Sequence, residues 1–202
     1  NGQLDPSSFC NSRLCVFQNN VADGALSKAM STIENNLTRL VTKGKMCSTE
    51  MAKSLPRVSK TDSIEKLGSC DLVIEAASEK EEVKKQIFGA PTSSLEPHTI
   101  LATNTSSISV TQLAQVTDSP DKFMGVHFMN PVPVMNLVEL IWCIATSDGT
   151  FSTFASTIDR LGKTAASSED YPAFIVNRVL IPMINEAVYV LYKSVVGVAS
   201  ID

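Results

Sequence analysis

The stretch Asp71-Leu-Val-Ile-Glu-Ala-Ala77 decides the fold. A continuous apolar run with one acid shows no polar alternation, so it reads as a strand covered on both faces, as in a parallel sheet. Ser78 then opens a charged helix that reaches Gly89. The alternation continues downstream. Thr99 to Asn104 reads as strand, Ser109 to Val116 as helix, Phe123 to Phe128 as strand and Met135 to Trp142 as another strand. A helix over Thr150 to Leu161 and a weak strand around Lys163 to Ser167 follow. Upstream, Leu14 to Phe17 reads as a short strand. Leu26, Met30, Ile33, Leu37, Leu40 and Val41, spaced three and four apart, mark an amphipathic helix that Gly44 closes. Ser48 to Leu55 is a second short helix ended by Pro56, and Thr61 to Gly68 a turn. Strands alternating with helices predict an α/β fold with a doubly wound, mostly parallel sheet.

From Phe174 to Val195 a long apolar helix has no sheet left to join. The expected boundary lies near Asp170-Tyr-Pro172, with residues 1–170 forming the α/β domain and 171–202 opening an all-helical one. The chain opens without methionine and stops at Asp202 without a capping glycine or proline, so both ends read as cut.

With 202 residues, 44% hydrophobic and 19% charged, the chain can bury a sizeable core. A net charge of -4 and the lack of a Lys/Arg stripe exclude a nucleic-acid footprint. Five scattered cysteines without Cys-x-x-Cys argue for reduced thiols and against a metal site. No apolar run approaches a membrane span, and the first residues lack signal-peptide features. The expectation is an intracellular, soluble protein, in cytoplasm or peroxisome, with the mitochondrial matrix also open.

In open α/β sheets ligands sit beyond the carboxyl ends of strands, where Ala76, Asn104 and His127 fall. Glu79, Lys84, Asn104, Thr105, Ser106, His127 and Asn130 are therefore candidates to line one crevice. An imidazole used as a base near neutral pH needs a fixed tautomer, which a carboxylate on its second nitrogen supplies. Glu139, among Leu137, Val138, Leu140 and Ile141, needs a donor or cationic partner if buried. His127 is the economical candidate; an arginine or exposure at an edge would serve equally. Asn104 to Ser107 is equally compatible with a helix N-cap. Lys84 and Glu79 would by default be solvated, the latter as a first-turn acid. Asn177, inside an apolar helical stripe, must find a partner or reach a ligand. His98, after Pro97, reads as surface.

Four motifs carry a resemblance: Asn104-Thr-Ser-Ser-Ile-Ser109, Gly125-Val-His-Phe-Met-Asn-Pro-Val-Pro-Val-Met135, Leu137-Val-Glu-Leu-Ile141, and Phe174-Ile-Val-Asn-Arg-Val-Leu-Ile-Pro-Met-Ile-Asn-Glu-Ala187. In this order they resemble the 3-hydroxyacyl-CoA dehydrogenase family, specifically its short 3-hydroxybutyryl-CoA branch, from about Asn20 to Asp202. The resemblance implies a Rossmann-like sheet, NAD as cofactor, an acyl-CoA substrate and a homodimer when full length. It implies His127 as general base, Glu139 as its orienting acid, and Ser106 and Asn177 on the substrate's reacting oxygen. Asn20, Glu79, Lys84, Ser106 and Asn130 fall at dinucleotide-contacting positions.

The chain also departs from that pattern. It contains no Gly-x-Gly-x-x-Gly, so the first βα unit of the family's fold is missing, and with it the pyrophosphate cradle. Asn20 stands where the family carries an acid, and Ala173 where it carries a glycine. Trp142-Cys143 replaces a polar pair. Two functions therefore stand: a dehydrogenase, or a truncated, non-catalytic descendant that retains a CoA- or partner-binding surface.

Overall fold

The computed structural model describes residues 14–19, 24–61, 63, 65–89 and 95–201; Asn20 lies outside them. β1 (Val16–Asn19) leads to α1 (Ala25–Thr42), α2 (Ser48–Ser54) and β2 (Val58–Thr61). β3 (Leu72–Glu75), α3 (Glu81–Gly89), β4 (Ile100–Thr103), α4 (Val110–Ala114) and β5 (Phe123–Phe128) follow. β6 (Leu137–Trp142), α5 (Asp148–Arg160), β7 (Thr164–Glu169) and α6 (Val176–Tyr192) complete the chain. Among the described residues no helix is long and apolar enough to cross a membrane.

Among the described residues the strands form two sheets: a parallel pair, β1-β2, and a five-stranded sheet in the order β3-β4-β5-β6-β7. β3, β4 and β5 are parallel, with α3 and α4 as crossovers, but β3 is the edge strand and its Leu72, Val73 and Ile74 are only half-buried, not covered on both faces as the apolar run suggested. β6 runs antiparallel to β5. The physical reason is length: only residues 129–136 separate them, and a parallel return needs a crossover of about a dozen or more. β7 pairs parallel with β6 after α5 crosses over.

All six residues of β5 are buried, so the strand carrying His127 is the centre of the molecule. On one face Met124, Val126 and Phe128 pack with Phe154 and Ile158 of α5. Leu14 and Val16 lean on that cluster beside Leu72 and Ile74, which joins the two sheets through side chains. On the other face Phe123 and Ile141 pack with Val110, Leu113 and Phe174. Gly125 permits this closeness, because a Cβ there would stand 2.8 Å from Val110 Cγ2 and 2.9 Å from Ile141 Cβ.

Several boundaries differ from the sequence reading. α3 begins at Glu81, and α4 covers only Val110–Ala114. β2 was unforeseen, because only Val58 and Thr61 of Val-Ser-Lys-Thr point inward. The expected helix from Phe174 begins at Val176, since Ala173 and Phe174 have φ of 70° and 51° and cannot be helical.

Candidate active site

His127 and Glu139 face one another directly across the antiparallel pair β5-β6. His127 Nδ1 lies 2.7 Å from Glu139 Oε2. The imidazole is 7% exposed and the carboxylate fully shut from solvent. Burial pushes the Glu139 carboxyl up, but the hydrogen bonds from His127, Val176 and Ile175 outweigh it and hold the group below the ordinary range. An ionised acceptor at Nδ1 fixes the Nδ1–H tautomer, which leaves the lone pair of Nε2 facing outward. Ser106 Oγ stands 3.1 Å from Nε2 and donates to it.

Glu139 is anchored at its second oxygen too. Oε1 accepts the N–H groups of Ile175 and Val176, each at 2.8 Å, so this strand carboxylate caps the start of α6. Asn177 therefore sits in the first turn of α6, two residues beyond Ile175. Phe174 is buried, its ring centroid 5.9 Å from that of His127.

Asn104 to Ser107 does not cap a helix; Ser109 caps α4. Asn104 Oδ1 instead accepts the N–H of Phe128 at 3.0 Å, joining the ends of β4 and β5. Glu79 Oε1 accepts from Thr105 Oγ1 (2.5 Å), Ser106 N (2.9 Å), Ser107 N (3.2 Å) and Ser107 Oγ (3.0 Å). Partial burial raises the Glu79 carboxyl, yet these donors and Lys84 bring it below its ordinary value. Glu79 thus fixes the loop that presents Ser106, rather than standing as a solvated first-turn acid.

Lys84 is likewise not solvated. It is 0% exposed, and its Nζ lies 2.9 Å and 2.8 Å from the two oxygens of Glu75 and 3.8 Å from Glu79 Oε2. Thr103 Oγ1 and the N–H of Ala77 complete the shell around Glu75. The ammonium is committed to carboxylates, so in this structure Lys84 braces the crevice wall from inside. Glu75 was missed from sequence, although the logic applied to Glu139, a lone acid in an apolar strand demanding a partner, finds it too. Asn130 is exposed at the head of the 130–136 loop. It borders a cavity of about 490 Å³ between α1 and that loop, which has none of Ser106, His127 or Glu139 in its lining. Trp142 lies on the far end of β6, stacked on Phe151.

The sequence signature of the 3-hydroxyacyl-CoA dehydrogenase NAD binding domain matches residues 6–171. The chain belongs to the 3-hydroxyacyl-CoA dehydrogenase family. It is 51% identical over 187 residues to 3-hydroxybutyryl-CoA dehydrogenase of Bradyrhizobium diazoefficiens, covering 93% of this chain and 64% of that one. A 3-hydroxybutyryl-CoA dehydrogenase of Clostridioides difficile is 41% identical over 201 residues, 100% of this chain and 71% of that one. The crystal structure of (S)-3-hydroxybutyryl-CoA dehydrogenase from Ralstonia eutropha superimposes with a TM-score of 0.91 at 39% identity, over 97% of this chain and 69% of that one. The chain thus spans about two thirds of the length of these 3-hydroxyacyl-CoA dehydrogenases. The matched unit is the family's NAD binding domain, which agrees with the mostly parallel, Rossmann-like sheet.

Proposed function

We propose that the chain carries the proton-transfer half of an NAD-dependent (S)-3-hydroxyacyl-CoA dehydrogenase. The observation that supports this most directly is the line Ser106, His127, Glu139, in which a serine hydroxyl meets the free nitrogen of a carboxylate-held imidazole. In this reading the substrate's 3-hydroxyl replaces the bond from Ser106 and gives its proton to Nε2. Glu139, shut from water, stabilises the imidazolium so formed. Ser106, freed to rotate, donates to the oxygen as it becomes a carbonyl. Asn177, from the first turn of α6, completes the oxygen's surroundings.

NAD, when bound, supplies the hydride acceptor. The residues at its reacting end fit: Ser106 is held by Glu79, and Asn130 is exposed at the strand end. Lys84 fits less well, because its ammonium is shut from solvent and held by both oxygens of Glu75, which leaves it turned away from a dinucleotide phosphate. That second observation favours a second reading, a non-catalytic chain that keeps an acyl-CoA surface. One experiment separates them. With saturating NAD and (S)-3-hydroxybutyryl-CoA, the first reading expects NADH absorbance to grow, and to stop growing in His127→Gln. CoA-ester binding by calorimetry with no NADH formed would establish the second reading instead.

The resemblance also supports a helical domain from residue 171 and a homodimer, with function in fatty acid metabolism. Helix α6 bears no buried residue, and Val179, Ile181, Met183, Ile184 and Val188 stand exposed on it, an apolar face of the kind that interfaces cover. Light scattering of the chain should therefore show association, and a monodisperse monomer counts against the dimer.

A further inference from the structure

Asp170, between β7 and the turn that starts α6, has a role that the line of catalytic side chains leaves unexplained. Its Oδ1 accepts the N–H of Val110 at 3.1 Å, and its Oδ2 accepts Ser109 Oγ and the N–H of Thr111, each at 2.8 Å. The carboxylate thus holds the first turn of α4, only a few residues beyond Ser106. On the other side of Asp170, the Tyr171 to Phe174 turn is closed by the Phe174 N–H on Tyr171 O at 2.9 Å, and the chain then presents Ile175 and Val176 to Glu139. The three hydrogen bonds that tie this segment to α4 all end on the Asp170 carboxylate.

We infer that Asp170 is a positioning residue for the His127–Glu139 pair. By fastening the turn to α4 it fixes the two N–H groups that hold Glu139 Oε1, so that Oε2 stays directed at His127. Glu139 is fully buried, and an ionised carboxylate there depends on those donors; released from them it protonates or swings, and His127 loses its partner either way. The inference rests on the reading of His127 as the base. The charged groups bearing on His127 are Glu139 from β6 and, through Ser106, Glu79.

The chain has two histidines, His98 and His127, so both imidazoles can be followed in one NMR titration. Asp170→Asn is expected to lower the His127 midpoint by about half a unit or more, roughly a threefold loss of proton affinity. The shift runs in the direction of Glu139→Gln and leaves His98 in place. An unmoved or raised His127 midpoint in folded Asp170→Asn overturns the inference. Where that variant does not fold, Ser109→Ala, which removes a single donor to Asp170, decides: a smaller shift in the same direction supports the inference and no shift overturns it. The titration needs no substrate. A shifted midpoint in a chain that forms no NADH therefore sinks the functional reading alone, and an unmoved midpoint in an active chain sinks the positioning role alone.

Discussion

His127 and Glu139 are cross-strand partners, directly opposite on β5 and β6, with 2.7 Å between Nδ1 and Oε2. Antiparallel pairing places facing side chains within reach of each other without any loop to position them. The dyad is therefore as rigid as the sheet that carries it. If Glu139 sets the tautomer and steadies the imidazolium, His127→Gln should cut turnover by about 10²–10⁴-fold. Glu139→Gln should cut it less, and neither should change the KM for the CoA ester much. Steady-state kinetics of both variants checks this, and an unchanged kcat in His127→Gln removes the residue from the chemistry.

Glu79 and Glu139 both hold folded values below that of a free glutamate. The sign follows from linkage: a depressed carboxylate contributes its full stability above the unfolded value, about 4.3, and loses it as pH falls through the folded value. Urea midpoints should thus be flat near neutrality and drop below about pH 4.3. In Glu139→Gln the midpoint should be lower at neutral pH but less steep in acid. A variant with the wild-type acid slope would show that Glu139 is not one of the groups responsible.

The buried Glu75–Lys84 pair predicts a non-additive cycle. Lys84→Met leaves a buried carboxylate unpaired and should cost about 3–5 kcal/mol, while Lys84→Met with Glu75→Leu should recover much of that loss. Denaturant unfolding of the single and double variants gives the coupling. Additive losses would mean that the two groups are not each other's main compensation.

Ala173 sits at φ 70° in the turn that hands Ile175 and Val176 to Glu139. A side chain in that region costs about 1–2 kcal/mol that glycine does not incur, partly offset by glycine's freer unfolded chain. Ala173→Gly should accordingly raise stability by about 1 kcal/mol and leave the His127–Glu139 contact intact. Thermal unfolding checks the first part. A destabilised Ala173→Gly would mean that the Cβ makes contacts worth more than the strain.

Patterning alone marked β3 to β5 as parallel strands, although the expectation that Asp71 to Ala77 is covered on both faces is corrected by the structure: β3 is the edge strand, with Leu72, Val73 and Ile74 half-buried and Glu75 buried. Patterning also marked Glu139 as a residue needing a partner, since burying a carboxylate among leucines and valines carries a cost that local sequence can register. Which partner it takes was open until β6 turned back antiparallel on β5, a register set by a short loop and by the packing of Gly125 against Ile141. The same holds for Lys84, whose helix looked solvated until the end of β3 brought Glu75 beneath it. Asp170 and the N–H groups of Ile175 and Val176 gave no sequence signal at all. Backbone donors have no residue identity, and a carboxylate reaching across from 170 to 109–111 is visible only once the chain has folded.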